Sequence, residues 1–145
     1  MSSITEEFNE RLEAFVQKYG LKNASGLLEV LTRQKMPKNM AARNRLMSDF
    51  LQLEVLKTFE ITLEEYRENR IKSAKEARWA VVHLLRAFTH LSHRRVGNLL
   101  LLSYRAARYA HDKCIELIEV GKFEKDFNAR YTELEEKLVA FIAKI

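Results

Sequence analysis

Four glycines, at positions 20, 26, 97 and 121, and one proline, Pro37, are spread over 145 residues. Hairpin turns need residues that accept a positive φ or a preset bend, and phosphate loops need clustered glycine. Neither has material here, so the chain is expected to be all-α, a multi-helix bundle.

Apolar spacing and capping residues divide the chain into helices. Ser3, with Glu6 three residues on, can cap a first helix carrying Ile4, Phe8, Leu12, Phe15 and Tyr19, and Gly20 marks its stop. A short helix is expected from about Ser25 to Arg33, before "KMPKN", where Pro37 disfavours helix at Met36 and sets the best internal boundary. A longer helix follows from Asn39 to about Phe59, with Leu46, Phe50, Leu53 and Leu56, or their neighbours, as the buried set. "TLEE" at Thr62 and "SAKE" at Ser73 read as capping boxes for a short helix and then a longer one. The longer one, to Phe88, carries Ala77, Val81, Leu84, Leu85 and Phe88 on one side and Trp79 and Val82 on another, the pattern of a helix sandwiched between layers. Ser92 and Ser103 can cap two more, the second ending at Gly121. The last helix spaces Phe123, Phe127, Tyr131, Leu134, Leu138, Phe141 and Ile145 in a near-heptad stripe.

The formal net charge of +5 is unevenly distributed. Met1 to Tyr66 carries 9 basic and 10 acidic residues, Arg67 to Lys113 carries 11 and 3, and Cys114 to Ile145 carries 5 and 7. A cationic middle third between near-neutral flanks suits a polyanionic partner, above all nucleic acid. Within it, a wheel started at Ser103 gathers Ala107, Ala110, Cys114, Leu117 and Ile118 on one side. Arg105, Arg108, Tyr109, Asp112 and Glu116 fall opposite. An ordinary amphipathic surface helix has this form, and so does a recognition helix whose first turns reach base edges in a major groove. Asp112, four residues after Arg108, is placed to hold its guanidinium.

The stretch "NRIKSAKEARWAVVHLLRAFTHLSHRRVGNLL", Asn69 to Leu100, resembles the DNA-binding C-terminal domain (domain IV) of the bacterial replication initiator DnaA, a Trp-repressor-like helix-turn-helix. The features that carry the likeness are the basic approach segment, Arg78, Leu84, Arg86, Thr89, Ser92, and Val96-Gly97 in place of Ile-Gly. Without gaps it extends back through "LQLEVLKTFEITLEEYRE" and forward through Ile115. The tail "FEKDFNARYTELEEKL" is similar to the extension of short stand-alone proteins with this domain, so Ser48 to Lys137 are covered. The likeness implies that Arg70 enters the minor groove with Lys72 beside it, and that Arg86 and Thr89 contact phosphates, with Arg94 and Arg95 adding charge. The family's Gly-Gly-Arg-Asp-His-Thr-Thr falls on Leu101, Leu102, Ser103, Tyr104, Arg105, Ala106 and Ala107, all different. Where the family's His and two Thr read bases, this chain offers Arg105 and two alanines. The initiator's own target is therefore not expected to be recognised. Arg105, Arg108 and Tyr109 become the expected readers, with Tyr104 a further expected DNA-binding residue. Without the two glycines, either the turn has changed shape or the two helices have partly merged.

Other chemistries find no support. Cys114 alone excludes an intrachain disulfide framework and a cysteine-rich zinc site, and reads as a small core filler in a reducing compartment. His90 and His93 are three apart, with His83 and His111 elsewhere, but the pair straddles a helix start, and no metal or other cofactor is assigned. No nucleophile or general base presents itself, and a Walker motif is missing, so no catalytic residue is nominated. No signal peptide, membrane-length run or myristoylation glycine is present, and a soluble, cytoplasmic, non-enzymatic protein is expected. Residues 1–45 form a helical extension suited to homodimerisation or a protein partner, and residues 46–145 form the DNA-binding domain. The competing expectation is a protein-interaction module that keeps the fold but has lost DNA recognition.

Overall fold

The structure is a computed structural model that describes residues 2–24 and 40–145. All of its regular structure there is helical: α1 (Ser2–Tyr19), α2 (Met40–Thr58), α3 (Leu63–Glu68), α4 (Lys72–Phe88), α5 (His93–Leu100), α6 (Tyr104–Glu119) and α7 (Lys125–Ile142). The helix expected from Ser25 to Arg33 and the boundary at Pro37 lie outside the described residues. The chain divides into two compact units, one containing α1 and the end of α7 from Glu136, the other running from Met40 to Glu135.

In the first unit, α1 starts at Ser2, so Ser3 lies inside the helix and not ahead of it. Its residues Leu12, Phe15, Val16 and Tyr19 are half-buried, and the Phe15 and Tyr19 rings lie 4.6 Å apart. Gly20 ends the helix at a φ of 87°, the left-handed conformation that glycine adopts without steric cost.

In the second unit α4 is the hub, packing against α2, α3, α5 and α6. Ala74, Ala77, Ala80, Val81, Val82, Leu84 and Leu85 have no exposed surface, which accounts for both of its apolar sides. The α4–α6 interface is the most extensive, and small buried residues on both partners, including Ala77 and Ala80 on α4 and Ala107 and Ala110 on α6, let the axes approach closely. Leu51 and Val55 of α2 and Phe127 and Leu134 of α7 complete the core. Each such side chain contributes about 1.5–3 kcal/mol through burial.

One expectation is narrowed here and two are corrected. On α2 it is the neighbours of the named residues that are buried, Met47, Ser48, Leu51, Val55 and Thr58, while Leu46 and Leu53 are 49% and 64% exposed. The helix is apolar on two sides, and periodicity alone does not say which side faces the core. The box at Thr62 forms in full, with Glu65 returning to the Thr62 amide. The one at Ser73 does not: α4 starts a residue earlier, at Lys72, from an extended Ile71 with no side-chain cap. Glu76 is instead buried and paired with Lys72 at 3.8 Å, so its carboxylate does not return to Ser73. Finally, α7 starts at Lys125, leaving Phe123 in the preceding turn and 76% exposed. Its stripe holds through Phe127, Tyr131, Leu134 and Leu138, then drifts to Ile142, because a straight helix turns every 3.6 residues and not every 3.5.

Candidate functional site

The site is built on α5, a three-residue turn and α6. Ser92 opens α5 by accepting a hydrogen bond from the Arg95 amide at 3.2 Å. Ser103 does the same for α6, accepting from the Ala106 amide at 3.1 Å. Each satisfies a backbone donor that the first helical turn leaves free. Between them, Leu101 takes a left-handed conformation at φ 59°, and the Leu101 and Leu102 amides both donate to the Gly97 carbonyl. The two helices therefore remain distinct, and the turn is tight without glycine. Leu101 occupies the conformation a glycine would take freely, at a cost of about 1–2 kcal/mol. Gly97 is the glycine the element does require: a Cβ there would stand 2.6 Å from the Leu102 carbonyl oxygen.

The outward side of α6 presents Tyr104, Arg105, Arg108, Tyr109, Asp112 and Glu116, all exposed, over buried Ala107, Ala110 and Cys114. Burial pushes the Cys114 thiol well above its ordinary range, with the Glu135 carboxylate adding to the shift, so it stays protonated. Arg108 makes no ion pair with Asp112. Tyr109 meets the edge of Trp79 from α4 at 6.3 Å, and the Lys113 ammonium lies 5.6 Å from its ring. Lys72, Lys75, Trp79 and Lys113 line one recess together with Glu76, Glu116, Leu117 and Glu124, so three lysines there face three carboxylates. The cationic start of α4 thus lies beside the middle of α6.

The remaining sequence candidates separate into two groups. Arg70, just ahead of α4, and Arg94 and Arg95, in the first turn of α5, are exposed, as is Lys72 despite its pairing with Glu76. Arg86 and Thr89 are tied into the chain. Arg86 donates to the Leu91 carbonyl. Thr89, 8% exposed, donates its hydroxyl to the Leu85 carbonyl and accepts from the Leu91 amide at 3.3 Å. Both hold the connection between α4 and α5. Arg78 is also internal, donating to the Tyr66 carbonyl at 2.9 Å and lying over the Tyr66 ring at 4.9 Å. Burial pushes the Tyr66 hydroxyl up to about 12 against that cation.

One constellation has no counterpart in the sequence spacing. His83 of α4 and His111 of α6 lie nearly parallel with ring centres 5.1 Å apart, and His93 of α5 meets His111 at 5.0 Å. His83 Nδ1 is 2.6 Å from the Tyr131 hydroxyl of α7, and His93 meets the edge of Tyr104 at 6.2 Å. Burial, with His111 as a secondary cause, pulls His83 down to about 4. Burial first, then neighbouring positive groups, lowers His93 and His111. His93 Nε2, His111 Nδ1 and Arg86 Nε are buried without a hydrogen-bond partner. His90, three residues before His93, is exposed. Separations of 10 and 18 residues from His93 carry no motif. The sole hint is the place of His111 on the wheel, at the margin of the buried side of α6. Among the described residues no group of three or more His, Cys, Asp or Glu is arranged to hold a metal ion.

The fold and site define an all-α chain with a tightly turned helix pair presenting basic and aromatic side chains. No family model, curated protein or solved structure matches the chain. Among the described residues no helix is long and apolar enough to cross a membrane.

Proposed function

We propose that the chain is a non-enzymatic protein that binds double-stranded DNA in the cytoplasm, in replication or transcription, with α5, the turn and α6 acting as a DnaA-like helix-turn-helix. The observation that carries this reading is the exposed start of α6, where Tyr104, Arg105, Arg108 and Tyr109 stand clear of the core, together with the exposure of Arg94 and Arg95 on the first turn of α5. Arginine pairs bidentately with guanine in the major groove, and tyrosine offers an apolar ring with a polar tip. Arg94, Arg95 and Lys72 are suited to phosphates, and Arg70 to a minor groove, where an inserted guanidinium responds to groove width. Arg86 and Thr89 contribute by setting the angle between α4 and α5.

A second reading, a protein-interaction module that has kept the fold, is favoured by Leu101. It is an apolar side chain 93% exposed at the tip of the turn, where nucleic-acid recognition has least use for it. Homodimerisation or partner binding through the N-terminal helices is compatible with either.

Titration against duplex DNA at several salt concentrations separates the two. Under the DNA reading affinity falls steeply with salt. Arg105→Ala then costs about 1–3 kcal/mol on a preferred sequence, and Arg94→Ala weakens all sequences alike. Indifference to every duplex at low salt would assign the surface to a protein.

A further inference from the structure

The histidine cluster joins the elements that set the turn. His93 is the first residue of α5, and its ring meets His111 of α6, which in turn stacks on His83 of α4. Charged and polar groups from three helices face the cluster. From α4 comes Arg86, from α6 come Tyr104, Arg108 and Asp112, and from α7 comes Tyr131 against His83. Two arginines thus oppose one carboxylate.

Neutral imidazoles stack at these distances, but charged ones repel. A proton on His111 stands about 5 Å from two other rings, so each further proton meets like charge already in place. Burial disfavours the charged forms as well. Of the three helices, α5 is the shortest, with eight residues. Its N-terminus, where His93 lies, is the end at which a positive charge is least welcome. Its C-terminus is held by a left-handed leucine. Protonation therefore acts most strongly on the element with the least to hold it.

We infer that the His83–His111–His93 cluster is a proton-operated latch. With all three rings neutral, His93 against His111 ties α5 to α6, and His111 against His83 ties α6 to α4; in mild acid α5 lifts away. Opening moves Arg94 and Arg95 and releases the turn that aims Tyr104 and Arg105. The latch depends on packing alone, and its effect on DNA rests on the reading above.

Amide hydrogen exchange on the full chain without DNA tests it, at pH 7.5 and 5.0 and corrected for intrinsic rates. Protection of the Val96 to Leu102 amides should fall at least tenfold relative to Val81 to Leu85. An unchanged ratio, or equal loss in every helix, would overturn the latch. His93→Gln should make that ratio insensitive to pH. If removing the ring loosens α5 at both pH values, ring-proton NMR of the unaltered chain decides. Coupled titration of His83, His93 and His111 below about 6.5, the ordinary histidine value, supports the latch, and three independent titrations at that value exclude it. Binding to a duplex is then compared at the same two pH values. An opening latch with no DNA affinity at pH 7.5 would sink the DNA reading and leave the latch standing.

Discussion

Leu101 and Gly97 show how far single residues decide this site. The resemblance draws attention to the turn through its missing glycines, but it does not say that a leucine takes the left-handed position in their place, because propensity disfavours that choice. The structure keeps the turn and leaves Leu101 in solvent, with nothing for its side chain to bury. Leu101→Gly should therefore stabilise the fold. Relief of about 1–2 kcal/mol of strain is partly offset by about 0.5–1 kcal/mol of extra freedom in the unfolded chain. Urea unfolding should show a higher midpoint at unchanged slope, and a lower one would mean that the leucine makes a folded-state contact. Gly97→Ala should act oppositely. Its methyl would meet a backbone carbonyl at 2.6 Å, which cannot rotate aside, for a loss of about 1–3 kcal/mol.

Helices were legible where a cap or an interruption marks them, and less so where only apolar spacing speaks. Ser92, Ser103 and Thr62 each have a hydroxyl with an amide to accept from, and all three caps form. Ser73 has the same letters around it, yet the box fails because tertiary packing takes Glu76 inward. The same competition decides α2, where the stripe through Leu46 and Leu53 and the stripe through Met47, Leu51 and Val55 differ by one residue of rotation. The orientation seen makes a sharp pair of expectations. Leu51→Ala should cost about 2–5 kcal/mol, since the side chain is fully buried. Leu53→Ala should change stability by no more than about 0.5 kcal/mol. Thermal unfolding of both variants checks the orientation, and a reversed ranking would turn the helix over.

Over the whole molecule, the division of charge along the chain is visible in sequence, but the meeting of titrating groups from separate helices is not, because it depends on how α4, α5 and α6 pack. That meeting gives the protein an acid response with two opposed parts. His83, His93 and His111 are all held below the ordinary histidine value of about 6.5. As pH falls below 6.5 the unfolded chain takes up protons that the folded one refuses, so the stability these rings allow is complete above 6.5 and is lost toward 4, where His83 itself titrates in the fold. Glu76 acts with the other sign. Burial raises its carboxyl, Lys72 only partly opposing, so the folded state binds that proton more readily than the unfolded one. Its burial penalty is present at neutral pH and is relieved through the carboxylate range. The midpoint of unfolding should thus be level above pH 7, fall below 6.5, and fall less steeply in the carboxylate range than the histidines alone would make it. Glu76→Gln, which removes the buried charge at every pH, should raise the midpoint at pH 7 and abolish that relief. A Glu76→Gln curve parallel to the original from pH 7 to 4 would show that the carboxylate carries its charge in the fold without penalty, and that the acid response belongs to the histidines alone.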